Sequence, residues 1–291
     1  TEEEYLGSKR YIKDKEYFTS KINECSDPLF ISSKPDISFK AERKTFRIEE
    51  TELLEAFSRR LNTSVFAVVL AVTSFYFSRI KENADNFFIG TTVLNRTGEK
   101  ERNTMGMYVN TVPVLMKPDY AATVSDNISA VSSDILSVLR HQKFNYTDIL
   151  EESGKGKLFD VIVSYQNAQI VNGETIIEWY SNGMQAENLQ IHIEDHDADG
   201  TLKMHFDYRT DKFSEDEITT IHTHLFNLLH DCMENPDKKI GELSMLSDSE
   251  KQKILKDFNN TTAPYENGKC VHTLFEEQVK NNPDKTAIIG C

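Results

Sequence analysis

Leu53, Leu54, Phe57 and Leu61 recur at the three- and four-residue spacing of a helix face and predict a helix over 49–62. The run VFAVVLAVTSFYF, residues 65–77, is apolar almost all round. It predicts a central helix over 65–80, with Thr63 and Ser64 available as caps. Val124, Ile128, Val131, Ile135 and Leu139 place an amphipathic helix at 123–140, and YTDILEE a short one at 146–152. Ser214 and Glu217 form a capping box that opens a helix over 214–235, closed by Pro236. A first helix is expected over 5–24, carrying Tyr5, Tyr11 and Phe18, and residues 27–41 read as a loop. Strands are expected at 86–94, at 159–167, at TIIEWYS (175–181) and at LQIHIED (189–195). Val161, Ile162 and Val163 run unbroken, as in a strand covered on both faces. Leu202, Met204, Phe206 and Tyr208 alternate, which predicts a half-buried strand over 201–210. Helices and strands in comparable amounts indicate an α/β fold up to about residue 245. A polar, turn-rich stretch follows, and the end reads as a helix and the start of a strand.

One segment resists this scheme. MGMYVNTVPVLM, residues 105–116, is apolar and β-prone at Val109, Val112, Val114 and Leu115, yet places Asn110, Thr111 and Pro113 inside the run. Proline cannot donate to a sheet ladder, so Pro113 is expected to mark where pairing stops.

Composition narrows the classes. The chain has 291 residues, 38% hydrophobic, and a formal charge of -14. It can bury a real core, and its acidity argues against nucleic acid or an anionic membrane as partner. The run at 65–77 is shorter than the about 20 apolar residues of a membrane span and contains Thr73 and Ser74. Four scattered cysteines, Cys25, Cys232, Cys270 and Cys291, form no C-x-x-C pair and suit a reducing cytoplasm. DHDADG, residues 195–200, imitates a calcium loop, but its twelfth position is Phe206 rather than Glu, so a hairpin turn is the better reading. His192 and His205 flank that turn. In one register they face each other, but no third metal ligand is evident and no metal site is assigned. His222, His224 and His230 share one helix, with 222 and 224 on different sides. No phosphate-binding loop, nucleophile elbow or zincin motif occurs. The residues alone lead no further than an α/β protein of unassigned function.

Several stretches, taken together and in order, resemble the C-terminal half of a nonribosomal peptide synthetase condensation domain. GMYVNTVP (106–113) is similar to the family's I/V-G-x-F-V-N-T motif, and HQKFNYTDIL (141–150) to its H-Q-x-x-P-F motif. LFDVIVSYQN (158–167) is similar to the strand after its R-D-x-S-R-N-P-L motif, and GTTVLNR (90–96) to the segment whose Arg supports the active site. SKRYIKDKEYF resembles the region around the fourth motif. LSDSEKQKILKDFNNTTAPY resembles a condensation–adenylation linker, and VHTLFEEQVKNNPDKTAIIG the start of an adenylation domain. The chain departs from the pattern at Asn145, where the family has Pro, and in EESGKGK, which lacks the expected arginines. No copy of the catalytic H-H-x-x-x-D-G occurs, and the resemblance places that motif upstream of residue 1.

The resemblance implies the C-terminal lobe of a chloramphenicol-acetyltransferase-like fold, a mixed sheet packed with helices. It implies that lobe at 1–245, a linker at 246–270 and a truncated adenylation start at 271–291. The implied role is one wall of a channel in which an acceptor amine attacks a donor thioester, with no catalytic residue in this chain. Arg96 is implied as active-site support, paired with the Asp of the absent motif and otherwise exposed or bound to a substitute acid. Asn110, Thr111, His141, Gln142, Tyr165 and Gln166 are implied channel-lining candidates. No cofactor is expected to bind directly. Phosphopantetheine arms of peptidyl and aminoacyl carrier proteins would bring the substrates, and an N-terminal lobe and a downstream adenylation domain would be partners. The rival readings are a non-catalytic docking lobe for carrier proteins and an epimerization domain of the same fold, the latter disfavoured by the adenylation-like tail.

Overall fold

The computed structural model describes residues 2–25, 30–166, 180–195, 200–262 and 268–289. Ten helices are assigned among them: α1 Glu2–Leu6, α2 Lys9–Glu24, α3 Thr51–Arg60, α4 Val65–Ile80, α5 Glu99–Arg102, α6 Val124–Arg140, α7 Tyr146–Ser153, α8 Glu215–Glu234, α9 Asp248–Gln252 and α10 Val271–Asn281. Six strands, β1 Ala41–Arg47, β2 Phe87–Val93, β3 Asn110–Met116, β4 Val161–Gln166, β5 Leu189–Glu194 and β6 Lys203–Arg209, form one mixed sheet in the order β1-β6-β5-β4-β2-β3. The pairs β2–β4 and β4–β5 are parallel and the rest antiparallel. The chain divides into two compact units, Thr1–Leu246 and Ser247–Cys291.

In the first unit α4 is buried along its length from Ala67 to Ser78 and packs against α3, α6 and α8. Its start is fixed by Ser64, whose hydroxyl accepts from the Ala67 amide. The apolar sheet face carries Leu189, Ile191, Ile193, Met204, Phe206 and Tyr208, all buried. Lys44, on that face, reaches Glu215 and Thr219 of α8, which locates the helix there. On the opposite face, at the β2 end, Phe159 packs at a tilt against Tyr146 of α7. Gly90 is required at that contact, because a Cβ would sit 2.4 Å from the Phe159 ring. No single helix among the described residues is long and apolar enough to cross a membrane. In the second unit neither α9 nor α10 carries a buried residue.

Four expectations change. The first helix breaks at Gly7, and Ser8 caps α2 afresh by accepting from the Tyr11 amide. Strand β1 was hidden by its composition, AERKTFR, in which Arg43 finds its partner on β6 and Lys44 on α8. Pairing does not stop at Pro113, which lies opposite Gly90 within a ladder running on to Met116. Because β3 is an edge strand, the missing N–H costs no ladder bond on its outer side. Strand β6 is buried on both faces rather than half-buried, from Met204 to Arg209. The stretch 175–179 and the turn 196–199 lie outside the described residues.

Candidate functional site

Because β2, β4 and β5 run parallel, Val93, Gln166 and Glu194 end at one rim of the sheet, beside the start of β3 at Asn110. Asn110 turns its amide away from the ladder and donates to the carbonyls of Gln142 and Phe144, both at 2.9 Å. The amide that looked out of place in a strand therefore anchors the loop after α6. Thr111 is half-buried and pairs with Thr92. Gln142 accepts from the Asn95 amide at 3.1 Å.

His141 lies at the C-terminal end of α6, stacked on Tyr17 with ring centroids 4.2 Å apart. Its Nδ1 meets Oδ1 of the buried Asp14 at 2.8 Å, and Tyr5 donates its hydroxyl to the other oxygen at 2.8 Å. Asp14 was not singled out from sequence, since an acid between Lys13 and Lys15 carries no signal of burial.

Arg96 is partly exposed, and its bonds go to backbone carbonyls rather than to a substitute acid. Its Nη1 donates to the carbonyls of Glu101 and Thr104 and its Nη2 to that of Gly106, while the guanidinium lies 4.3 Å from the Tyr108 ring centre. Three of its five N–H groups are used this way, which leaves two without a partner among the described residues. Glu101 closes the same loop, accepting from the Thr97 and Gly98 amides at 2.7 and 2.8 Å and from Lys143. Its salt bridge with Lys143, followed by the two amides, holds the Glu101 carboxyl down at about 2.

Strand alternation separates the last two candidates. Gln166 follows Ser164 on the polar sheet face, and Tyr165 points the other way. The Tyr165 hydroxyl donates to Asp195 at 3.4 Å, and burial together with that carboxylate pushes it up to about 12.

The polar face holds a row that crosses four strands: Thr45, His205, His192 and Ser164 are neighbours in register. His192 and His205 do face each other, as one register allowed, but each imidazole is engaged at both nitrogens. His192 Nδ1 meets Ser164 Oγ at 2.6 Å and its Nε2 lies 3.5 Å from Asp207. His205 Nδ1 meets Thr45 Oγ1 at 2.8 Å and its Nε2 meets Glu194. Arg43 grips Asp207 with two bonds of 2.6 Å. Burial alone would raise the Asp207 carboxyl, but Arg43 and then His192 outweigh it and bring it down to about 2. Burial lowers His205 despite the pull of Glu194. Among the described residues no group of three or more His, Cys, Asp or Glu could hold a metal.

The family model for the condensation domain matches residues 1–255. The chain belongs to the condensation-domain family. It is 30% identical to surfactin synthase subunit 1 of Bacillus subtilis (strain 168) over 99% of its own length and 8% of that protein's. To gramicidin S synthase 2 of Brevibacillus brevis it is 26% identical, over 98% of this chain and 7% of that one. The fold matches the first condensation domain of the calcium-dependent antibiotic synthetase in complex with a substrate analogue, with a TM-score of 0.71 at 18% identity over 84% of this chain and 56% of that one. It also matches a four-domain nonribosomal peptide synthetase bound to AMP and glycine, with a TM-score of 0.75 at 18% identity over 94% of this chain and 23% of that one. The chain thus spans less than a tenth of the curated relatives named and just over half of the isolated condensation domain.

Proposed function

We propose that the chain is the C-terminal lobe of an amide-forming condensation domain of a cytoplasmic nonribosomal peptide synthetase. The observation that carries this reading is the family match across residues 1–255. In the proposed reaction the acceptor amine attacks the carbonyl carbon of a donor thioester. The C–N bond forms, the C–S bond breaks, and the departing thiolate takes up the proton the amine loses. Phosphopantetheine arms of two carrier proteins bring both partners, and confinement in one channel supplies much of the acceleration. This lobe contributes wall and scaffold. The sequence holds no H-H-x-x-x-D-G, and we place that histidine in an N-terminal lobe preceding residue 1.

Arg96 is the residue of this lobe nearest the chemistry in our reading. Its two unused N–H groups suffice for a carboxylate, so it can organise its own loop and still hold the Asp of the catalytic motif. The test is a full synthetase charged on both carrier proteins, with dipeptidyl thioester followed by mass. Arg96→Ala is expected to slow its formation about ten- to a hundredfold, the cost of a lost charge-assisted bond. An unchanged rate rejects the role of Arg96, and no amide from the intact synthetase rejects the function.

A further inference from the structure

The loop joining β2 to β3 gains little from burial. Helix α5 within it has no buried residue, and Met105 and Met107 are 98% and 93% exposed. Ordering about fifteen such residues costs conformational entropy that apolar contacts do not offset. Its polar fastenings converge on one tripeptide, Gln142–Phe144. At the first end Asn95 sits in the left-handed region at φ 52°, and its amide donates to Gln142 Oε1. At the far end the Asn110 side chain donates to the carbonyls of Gln142 and Phe144. Between them Lys143 holds Glu101, which gathers the Thr97 and Gly98 amides. Gln142 is itself fixed to α6, its Nε2 donating to the Leu139 carbonyl at 2.7 Å.

We infer that Gln142 and Asn110 are positioning residues: they form a clamp that closes both ends of the 95–109 loop and sets the place of Arg96. Asn110 spends both hydrogens of its amide, and Gln142 its oxygen and one N–H, on backbone groups, so these bonds act through the loop. The catalytic consequence rests on the function proposed above; the clamp itself does not. Gln142→Ala removes the acceptor at Asn95, and Asn110→Ala removes both far-end bonds. Gln142→Glu keeps the acceptor at Asn95 but loses the bond to Leu139 and turns a carboxylate oxygen toward that carbonyl.

The experiment is hydrogen exchange by mass spectrometry on peptides covering 95–109 of the full synthetase, beside steady-state amide formation. Gln142→Ala and Asn110→Ala are expected to speed exchange in those peptides about tenfold, the worth of a hydrogen bond or two. They are expected to lower kcat about tenfold, with KM for the carrier proteins within about twofold and the global unfolding midpoint unmoved. Gln142→Glu, which keeps the acceptor, should lie between wild type and Gln142→Ala in both exchange and kcat. Unchanged exchange in both alanine variants overturns the clamp. Faster exchange with undiminished kcat overturns its role in the reaction, and so does faster exchange everywhere with a lowered midpoint. A wild-type synthetase that makes no amide rejects the proposed function, while the exchange data still decide the clamp.

Discussion

Asp160, at the entry to β4, is 1% exposed and accepts from the Ile31 amide at 2.9 Å and from Asn188 Nδ2 at 2.6 Å through one oxygen. Its other oxygen, Oδ1, is buried without a hydrogen-bond partner among the described residues. Burial, partly opposed by those two donors, lifts the carboxyl from 3.8 to about 6. Between those values the folded chain binds more protons than the unfolded one, so stability falls as pH rises. The contribution is full below about pH 4, is lost through about pH 6 and is flat above. A rise of about two units, at 1.36 kcal/mol each, amounts to about 3 kcal/mol. Asp160→Asn keeps one oxygen for both donors and cannot ionise. Relative to wild type it should gain up to about 3 kcal/mol in unfolding free energy between pH 4 and pH 8. Urea unfolding followed by circular dichroism at both pH values measures this, and taking the difference between the two proteins cancels every other titrating group. A difference that stays constant within about 0.5 kcal/mol, well inside that span, refutes the reasoning.

Other outcomes follow from the same packing. Gly90→Ala forces a Cβ into the Phe159 ring and should cost about 2 kcal/mol of unfolding free energy; a value near wild type would show that the ring moves freely. Arg43→Met leaves the buried Asp207 carboxylate with His192 alone among the described residues and should cost about 3 kcal/mol at pH 7. Because Asp207 is depressed to about 2, wild type loses that advantage as pH falls from about 4 towards 2, so the gap between the two proteins should narrow at pH 3. Helix α10 has no buried residue, so its amides should exchange before those of α4; equal protection would contradict this.

Helices α4 and α8 were legible because their apolar runs agree with the capping residues Ser64 and Ser214, and α6 from its apolar spacing. Strand β1 was not, because Arg43 and Lys44 look solvated until Asp207 and Glu215 appear opposite them. His192 and His205 stood out as a pair, but Thr45, Ser164, Glu194 and Asp207, which engage them, come from four strands that no local pattern links. The resemblance singled out Asn110, His141 and Gln142 as channel-lining candidates. Their hydrogen bonds, to backbone groups and to Asp14, exist only once α2, β3 and the end of α6 are brought together. Tyr165 and Gln166 could have been separated from sequence alone, since neighbours in a strand face opposite ways.

The central claim is that this lobe supplies wall and scaffold while the proton-handling histidine lies elsewhere. The most direct measurement mixes the purified chain with donor- and acceptor-loaded carrier proteins and follows dipeptidyl thioester by mass, with and without an N-terminal condensation lobe added in trans. A positioned base alone is worth about a hundred- to ten-thousandfold, so the chain by itself should give no product above the carrier-only background, and the added lobe should raise it. Product from the chain alone at the rate of the reconstituted pair would contradict the account.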